Sequence, residues 1–189
     1  MPTRDGSSGR LHNSVVVIGR SGEVLGAYYK RIVFPGVVEG WARPGQEVGV
    51  FAVDGVEVGV LVCADAWPRR FARQTESAGA EILVSSARWA PGHMGPSGVW
   101  ERDSRLTGLS LIVCNTTGRE KGGDNRRSAS VVDDGGRRLF TFRSPTSEVF
   151  LVDWDRQAGT FTSAGSFSPW VSHERCAAAG AIRATNRPA

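Results

Sequence analysis

The stretch GVLVCADAW (residues 59–67) decides how the chain is read. Its apolar, partly β-branched run predicts a buried strand that stops at Cys63 and turns over Asp65. The residues after it, WPRRFARQTESAGA (67–80), predict a helix. Pro68 suits the first turn, Trp67, Phe71 and Ala78 are spaced to share a face, and Gly79 suits the end. A strand that runs straight into a helix places the intervening thiol at the carboxyl edge of a sheet. Unpaired N–H groups at the helix start can stabilise a thiolate there and later an oxyanion.

Working upstream, GVFAV-DG-VEVGVLV predicts a hairpin, with Asp54-Gly55 as its two-residue turn. Before it, residues 31–49 carry two Pro-Gly signals and predict a long loop, a length that usually serves a site. NSVVVIG and VLGAYYK predict two strands joined by RSGE, and the polar residues 1–10 predict a flexible arm. Downstream, EILVSSA and LSLIVCN predict buried strands, with the helix VWERDSRLTG between them. SASVV-DDGG-RRLFTF predicts a second hairpin and SEVFLVDW one further strand, after which the pattern weakens from residue 157. Hairpins mixed with strand–helix–strand units predict an α/β fold with mixed sheets. The expected organisation is an arm over 1–10, one domain over 11–156 and a tail over 157–189.

Of 23 basic residues only Lys30 and Lys121 are lysines, and the net charge is +4. The arginines are scattered and no zinc-finger, helix-turn-helix or RNA-binding signature is present, which argues against nucleic acid as a partner. Three cysteines without a CxxC pair, and no apolar run long enough to span a bilayer, point to a reduced, cytoplasmic chain without a membrane partner.

Cys63 has two readings, a nucleophile or an ordinary buried thiol. Cys114 follows LIV in the same manner, and Cys176 falls in the tail. Lys30 closes the strand VLGAYYK in a chain that otherwise uses arginine; lysine can share a proton where arginine cannot. A snorkelling surface lysine is the alternative. Glu39 lies among apolar and Pro/Gly residues of the loop, either solvated or facing a pocket with Lys30. His93 is a further possible base for Cys63, less favoured because it sits in the Gly/Pro-rich APGHMGPSG without an orienting partner.

Together NSVVVIGRSGEVLGAYYKR, the Pro-Gly loop, VGVLVCADAW, GAEILVSSARW, IVCNTTG and VVDDGG resemble the nitrilase, or carbon–nitrogen hydrolase, superfamily over residues 11–153. The lysine follows Tyr-Tyr, the glutamate comes nine residues on, and Val-Cys-x-Asp a further 24 on. The resemblance implies an α–β–β–α sandwich that usually dimerises. It also implies hydrolysis of non-peptide carbon–nitrogen bonds (amide, carbamoyl or nitrile) through a Glu–Lys–Cys triad, with no cofactor and no metal. By the same resemblance Cys63 is the nucleophile, and Lys30 with the backbone N–H of Ala64 holds the oxyanion. Glu39 matches the family's second, supporting glutamate, while Trp67 and Trp89 line the substrate site. Asp65 fixes the elbow by local hydrogen bonds, and Asn115 orders the loop beside the nucleophile.

The family's general-base glutamate lies on an earlier strand than any found here, so the resemblance implies a domain incomplete at its N-terminus. The expectations that follow are that the chain alone is poorly stable, or a homo-oligomer, or both, or that an N-terminal polypeptide completes it. A catalytically incomplete binding or oligomerisation module is the alternative function, and a plain interaction domain the third.

Overall fold

The computed structural model describes the chain except residues 5, 7, 37–38, 90–97, 117–127, 133–134, 144–148, 163–167 and 172–189. His93 and Cys176 therefore lie outside the described residues. In chain order the elements are β1 (Pro2–Arg4), β2 (Leu11–Ile18), β3 (Val24–Tyr29), β4 (Gly49–Val53) and β5 (Val56–Val62). A 3-10 turn (Cys63–Ala66), α1 (Arg69–Ser77), β6 (Ile82–Ala87), α2 (Val99–Thr107) and β7 (Ser110–Asn115) follow. The rest are β8 (Ser128–Val132), β9 (Arg138–Arg143), β10 (Val149–Leu151), β11 (Trp154–Asp155), β12 (Thr160–Phe161) and β13 (Ser168–Val171).

The main sheet is mixed, in the order β4-β5-β6-β7-β8-β9. β5, β6 and β7 run parallel, and β4, β8 and β9 join antiparallel. The two parallel connections carry α1 and α2, as crossovers require. The first hairpin turns where its local chemistry directs, with Asp54 at φ 50° and Gly55 at φ 80°.

One face of this sheet packs on the helices. Leu61 meets Phe71 and Ala72 of α1, while Leu83, Leu111 and Val113 meet Val99 and Trp100 of α2. On the other face Val60 and Val62 pack against Tyr28, Val15 and Val17 of a smaller sheet, β1-β2-β3. The described residues thus form helix, sheet and sheet layers with the core between them. The helix layer sits close because Gly59 has no side chain: a Cβ there would lie 2.3 Å from Thr75 Cγ2 and 2.8 Å from Leu83 Cδ2.

Three local readings differ from the sequence expectations. The inward face of α1 is Phe71, Ala72 and Thr75, and Ala78 is exposed. Thr75 can face inward because its hydroxyl donates to the Phe71 carbonyl at 2.9 Å, satisfying its polar atom within the helix. Within the stretch read as an arm, Pro2–Arg4 pairs antiparallel with Leu11–Asn13. SEVFLVDW divides into β10 and β11, and beyond residue 157 β12 returns antiparallel to β11 and buries Phe161 against Ile82. Among the described residues no helix is long and apolar enough to cross a membrane.

Candidate active site

The parallel strands end in register: Val62 of β5, Ser86 of β6 and Cys114 of β7 are lateral neighbours. The site is built at this edge. Cys63 is the first residue past β5 and opens the 3-10 turn with φ 51°, a left-handed conformation that side chains rarely adopt. It is half-buried, whereas Cys114 is exposed.

Lys30 follows β3 directly and is 3% exposed; Glu39, from the loop, is 6% exposed. The Lys30 Nζ donates to both carboxylate oxygens of Glu39 at 2.7 Å, and it lies 5.4 Å from the Phe34 ring centre. Glu39 also accepts from Asn13 Nδ2 at 2.6 Å and from the Phe34 N–H at 3.1 Å. Burial acts to raise the Glu39 pKa, but the donors from Lys30 and Asn13 outweigh it and hold the carboxyl below its usual range. With its lone pairs already engaged, Glu39 is a fixed anion that locates Lys30 and is poorly suited to take a proton.

Burial pushes the Cys63 thiol up. The Arg88 backbone N–H, the Lys30 ammonium and the Ala64 backbone N–H pull the other way, the Glu39 carboxylate adds to the rise, and the net direction is upward. The resting group is therefore predominantly a thiol at neutral pH, which needs a proton acceptor to become a nucleophile. The Arg88 N–H, the Lys30 ammonium and the Ala64 N–H favour negative charge at the sulfur itself.

Asp65 reaches further than a local elbow bond. Fully buried, it accepts from the Val62 N–H at 3.3 Å, Tyr28 Oη at 2.8 Å, and the N–H groups of Arg31 and Ile32 at 3.1 and 2.8 Å. One carboxylate therefore ties the flank of Lys30 to the flank of Cys63. Burial still raises the Asp65 pKa, because these donors are all uncharged.

Trp67 is half-buried, with Phe34 edge-on at 6.0 Å and Trp89 edge-on at 5.3 Å. Trp89 is 7% exposed and continues the stack to Trp100 at 5.8 Å, so its ring sits largely in the core beneath α2. Cys63, Lys30, Glu39, Ala64, Trp67 and Trp89 thus belong to one neighbourhood. Among the described residues no group of three His, Cys, Asp or Glu side chains could hold a metal ion.

Sequence reasoning missed Asn13, whose only signal is a polar residue heading an apolar strand. It also missed Arg102 and Asp103. Arg102 Nη2 donates to the Ala66 carbonyl at 2.5 Å and to Asp103 Oδ1 at 2.7 Å, anchoring the turn behind Cys63. Asp103 is fully buried, and its Oδ2 has no partner among the described residues. Burial pushes its pKa up to about 6 against the pull of Arg102.

In the unfolded chain Asp103 titrates near the ordinary aspartate value, so between about pH 4 and 6 the folded state binds a proton the unfolded state has lost. This group's contribution therefore weakens stability as pH rises through that window, by on the order of 3 kcal/mol once the carboxylate is fully ionised. Asp103→Asn, which imitates the protonated form, is expected to flatten the fall in urea midpoint between pH 5 and 7.5. A variant whose midpoint falls as steeply as the parent's would refute this.

Comparison with known proteins gives the family and the fold. The family model described as carbon-nitrogen hydrolase matches residues 1–160. The chain is 25% identical over 136 residues to a 2-oxoglutaramate amidase of Bacillus subtilis (strain 168), covering 68% of this chain and 51% of that protein. The chain thus spans about half the length of that curated relative. A glutamine-dependent NAD+ synthetase from Acinetobacter baumannii superposes with a TM-score of 0.74 at 18% identity, over 85% of this chain and 31% of that one. A nitrilase-superfamily amidase from Nesterenkonia sp. AN1 superposes at 0.66 and 20% identity, over 76% and 55%. A variant of that amidase has been solved with the acetamide moiety of fluoroacetamide covalently added to its active site cysteine.

Proposed function

The chain belongs to the carbon–nitrogen hydrolase family, a member of the nitrilase superfamily, and we propose that it cleaves a non-peptide carbon–nitrogen bond of a small amide, carbamoyl or nitrile through Cys63. The observation that carries this reading is the buried Lys30–Glu39 pair set against the thiol, in a protein with almost no other lysine. In the amide case the Cys63 sulfur bonds to the carbonyl carbon and the thiol proton passes to a base. The oxygen becomes anionic between the Lys30 ammonium and the Ala64 N–H. The carbon–nitrogen bond breaks as the amine takes up a proton, leaving an acyl thioester. Water then adds to the thioester and releases the acid and the thiol. Phe34 and Trp67 give the substrate an apolar, aromatic wall.

Glu39 is the counter-ion of Lys30 in this scheme, and the proton carrier is another group. A second reading draws on that point: a raised thiol whose neighbouring carboxylate is fully engaged also suits a binding module of the same fold that does not turn over.

The test is alkylation with iodoacetamide alongside ammonia release from a panel of amides, carbamoyl compounds and nitriles. Substrate is expected to protect Cys63, but not the exposed Cys114, and an acid quench is expected to trap acyl-Cys63 by mass. Protection without ammonia favours the binding module. Neither protection nor ammonia overturns both readings.

A further inference from the structure

The strand pairing of β6 with β7 ends at Ala87 opposite Asn115, yet the chain beyond β6 is not released there. The Asn115 carboxamide accepts the Trp89 N–H at Oδ1 and donates from Nδ2 to the Trp89 carbonyl, both at 2.9 Å. It is only 8% exposed. This is the exchange of two hydrogen bonds that a residue on a neighbouring strand would make, performed by a side chain. The Thr116 N–H adds a bond to the Ala87 carbonyl at 3.1 Å, so residues 87 and 89 are both held. Arg88 lies between these two fixed points, two residues beyond the Val62–Ser86 pairing that closes β5, so its backbone stands at the strand end beside Cys63, and its N–H is among the groups that favour the Cys63 thiolate.

We propose that Asn115 is a positioning residue for Cys63: its carboxamide acts as an extra rung on β6 and keeps the Arg88 N–H aimed at the sulfur, stabilising the thiolate. The two N–H groups that serve Cys63 then come from different strand ends. Ala64 follows it in the chain, and Arg88 reaches it across the sheet. Only the second depends on a side chain that touches neither sulfur nor substrate. This inference builds on Cys63 being the reactive thiol, but it is read from thiol titration and does not need turnover.

The experiment is the pH dependence of iodoacetamide alkylation at Cys63, followed by peptide mass with Cys114 as the internal control, in Arg88→Ala, Arg88→Pro and Asn115→Ala. Alanine at 88 removes the side chain and keeps the N–H, whereas proline removes the N–H itself. Arg88→Pro is expected to move the alkylation midpoint upward relative to Arg88→Ala. At pH 7 its Cys63 rate is expected to fall about three- to tenfold, because one pKa unit is tenfold in thiolate. Asn115→Ala is expected to shift the midpoint the same way, with Cys114 unchanged in every variant. Near-UV circular dichroism confirms that each variant folds. If Asn115→Ala does not fold, Asn115→Asp takes its place, since it keeps the acceptor for the Trp89 N–H and loses the donor to the Trp89 carbonyl, and an unshifted midpoint there overturns the inference equally. Unshifted midpoints in folded variants overturn the inference. Ammonia release that persists beside unshifted midpoints overturns it while leaving the hydrolase reading standing. Shifted midpoints without ammonia support it and remove the hydrolase reading.

Discussion

Lys30→Met is expected to destabilise the protein by roughly 3–5 kcal/mol, the usual cost of breaking a buried ion pair from one side. Lys30 and Glu39 are 3% and 6% exposed, so removing the ammonium strands a carboxylate that water reaches poorly. Asn13 and the Phe34 N–H still donate to it, but neither carries charge, and burial then dominates its titration. Glu39 now contributes stability above the ordinary glutamate pKa, and that contribution is lost as pH falls through its lowered folded value. In Lys30→Met the sign reverses, and the variant gains stability as Glu39 takes up a proton.

The double variant Lys30→Met with Glu39→Gln separates fold from chemistry. The introduced carboxamide can still accept from Asn13, no unpaired charge remains at this pair, and most of the lost stability is expected to return. The reactivity of Cys63 is expected to return only in part: the carboxylate that disfavours its thiolate is neutralised, but the ammonium that favours it more strongly is gone. Urea denaturation at pH 7 with alkylation rates on the same samples checks both arms. A loss below about 1 kcal/mol in Lys30→Met would contradict the buried-pair account. Recovery of alkylation to the parental rate in the double variant would remove Lys30 from the site.

What could be read before the structure was whatever is encoded locally. Asp54-Gly55 defines a hairpin with turn chemistry alone, and an apolar run followed by a proline and a helical period defines the strand–turn–helix around Cys63. Lys30 stood out because the chain spends so few lysines. The unread parts depend on chain segments meeting across the fold. Asn13 touches Glu39 at a separation of 26 residues, Asp65 gathers the Arg31 and Ile32 N–H groups from 34 and 33 residues away, and Arg102 reaches Ala66 across 36. A single polar residue on a strand or helix does not announce such a partner. β1 and β12 escaped for another reason: at three and two residues they are too short to show a period. Their order comes from pairing, with Phe161 supplying the burial for β12.

Replacing Cys63 divides its two burdens, the sulfur and the backbone. Alanine and glycine both remove the thiol, so both variants are expected to lose turnover by at least about 10³-fold and all alkylation at this position. Their stabilities are expected to differ. At φ 51° a Cβ presses on the following carbonyl, at roughly 1–2 kcal/mol, and glycine is free of that contact. Glycine also enlarges the conformational freedom of the unfolded chain, which returns part of the gain. The net expectation is that Cys63→Gly exceeds Cys63→Ala by about 1 kcal/mol in urea denaturation, and that wild type falls nearer alanine. The strain is held because Asp65 binds the Val62 N–H just before the thiol and the turn hydrogen bond from the Trp67 N–H to the Ala64 carbonyl closes just after it. A glycine variant no more stable than alanine would mean that this corner is relaxed with a side chain in place. Near-parental turnover in Cys63→Ala would show that the bond-breaking nucleophile is some other group.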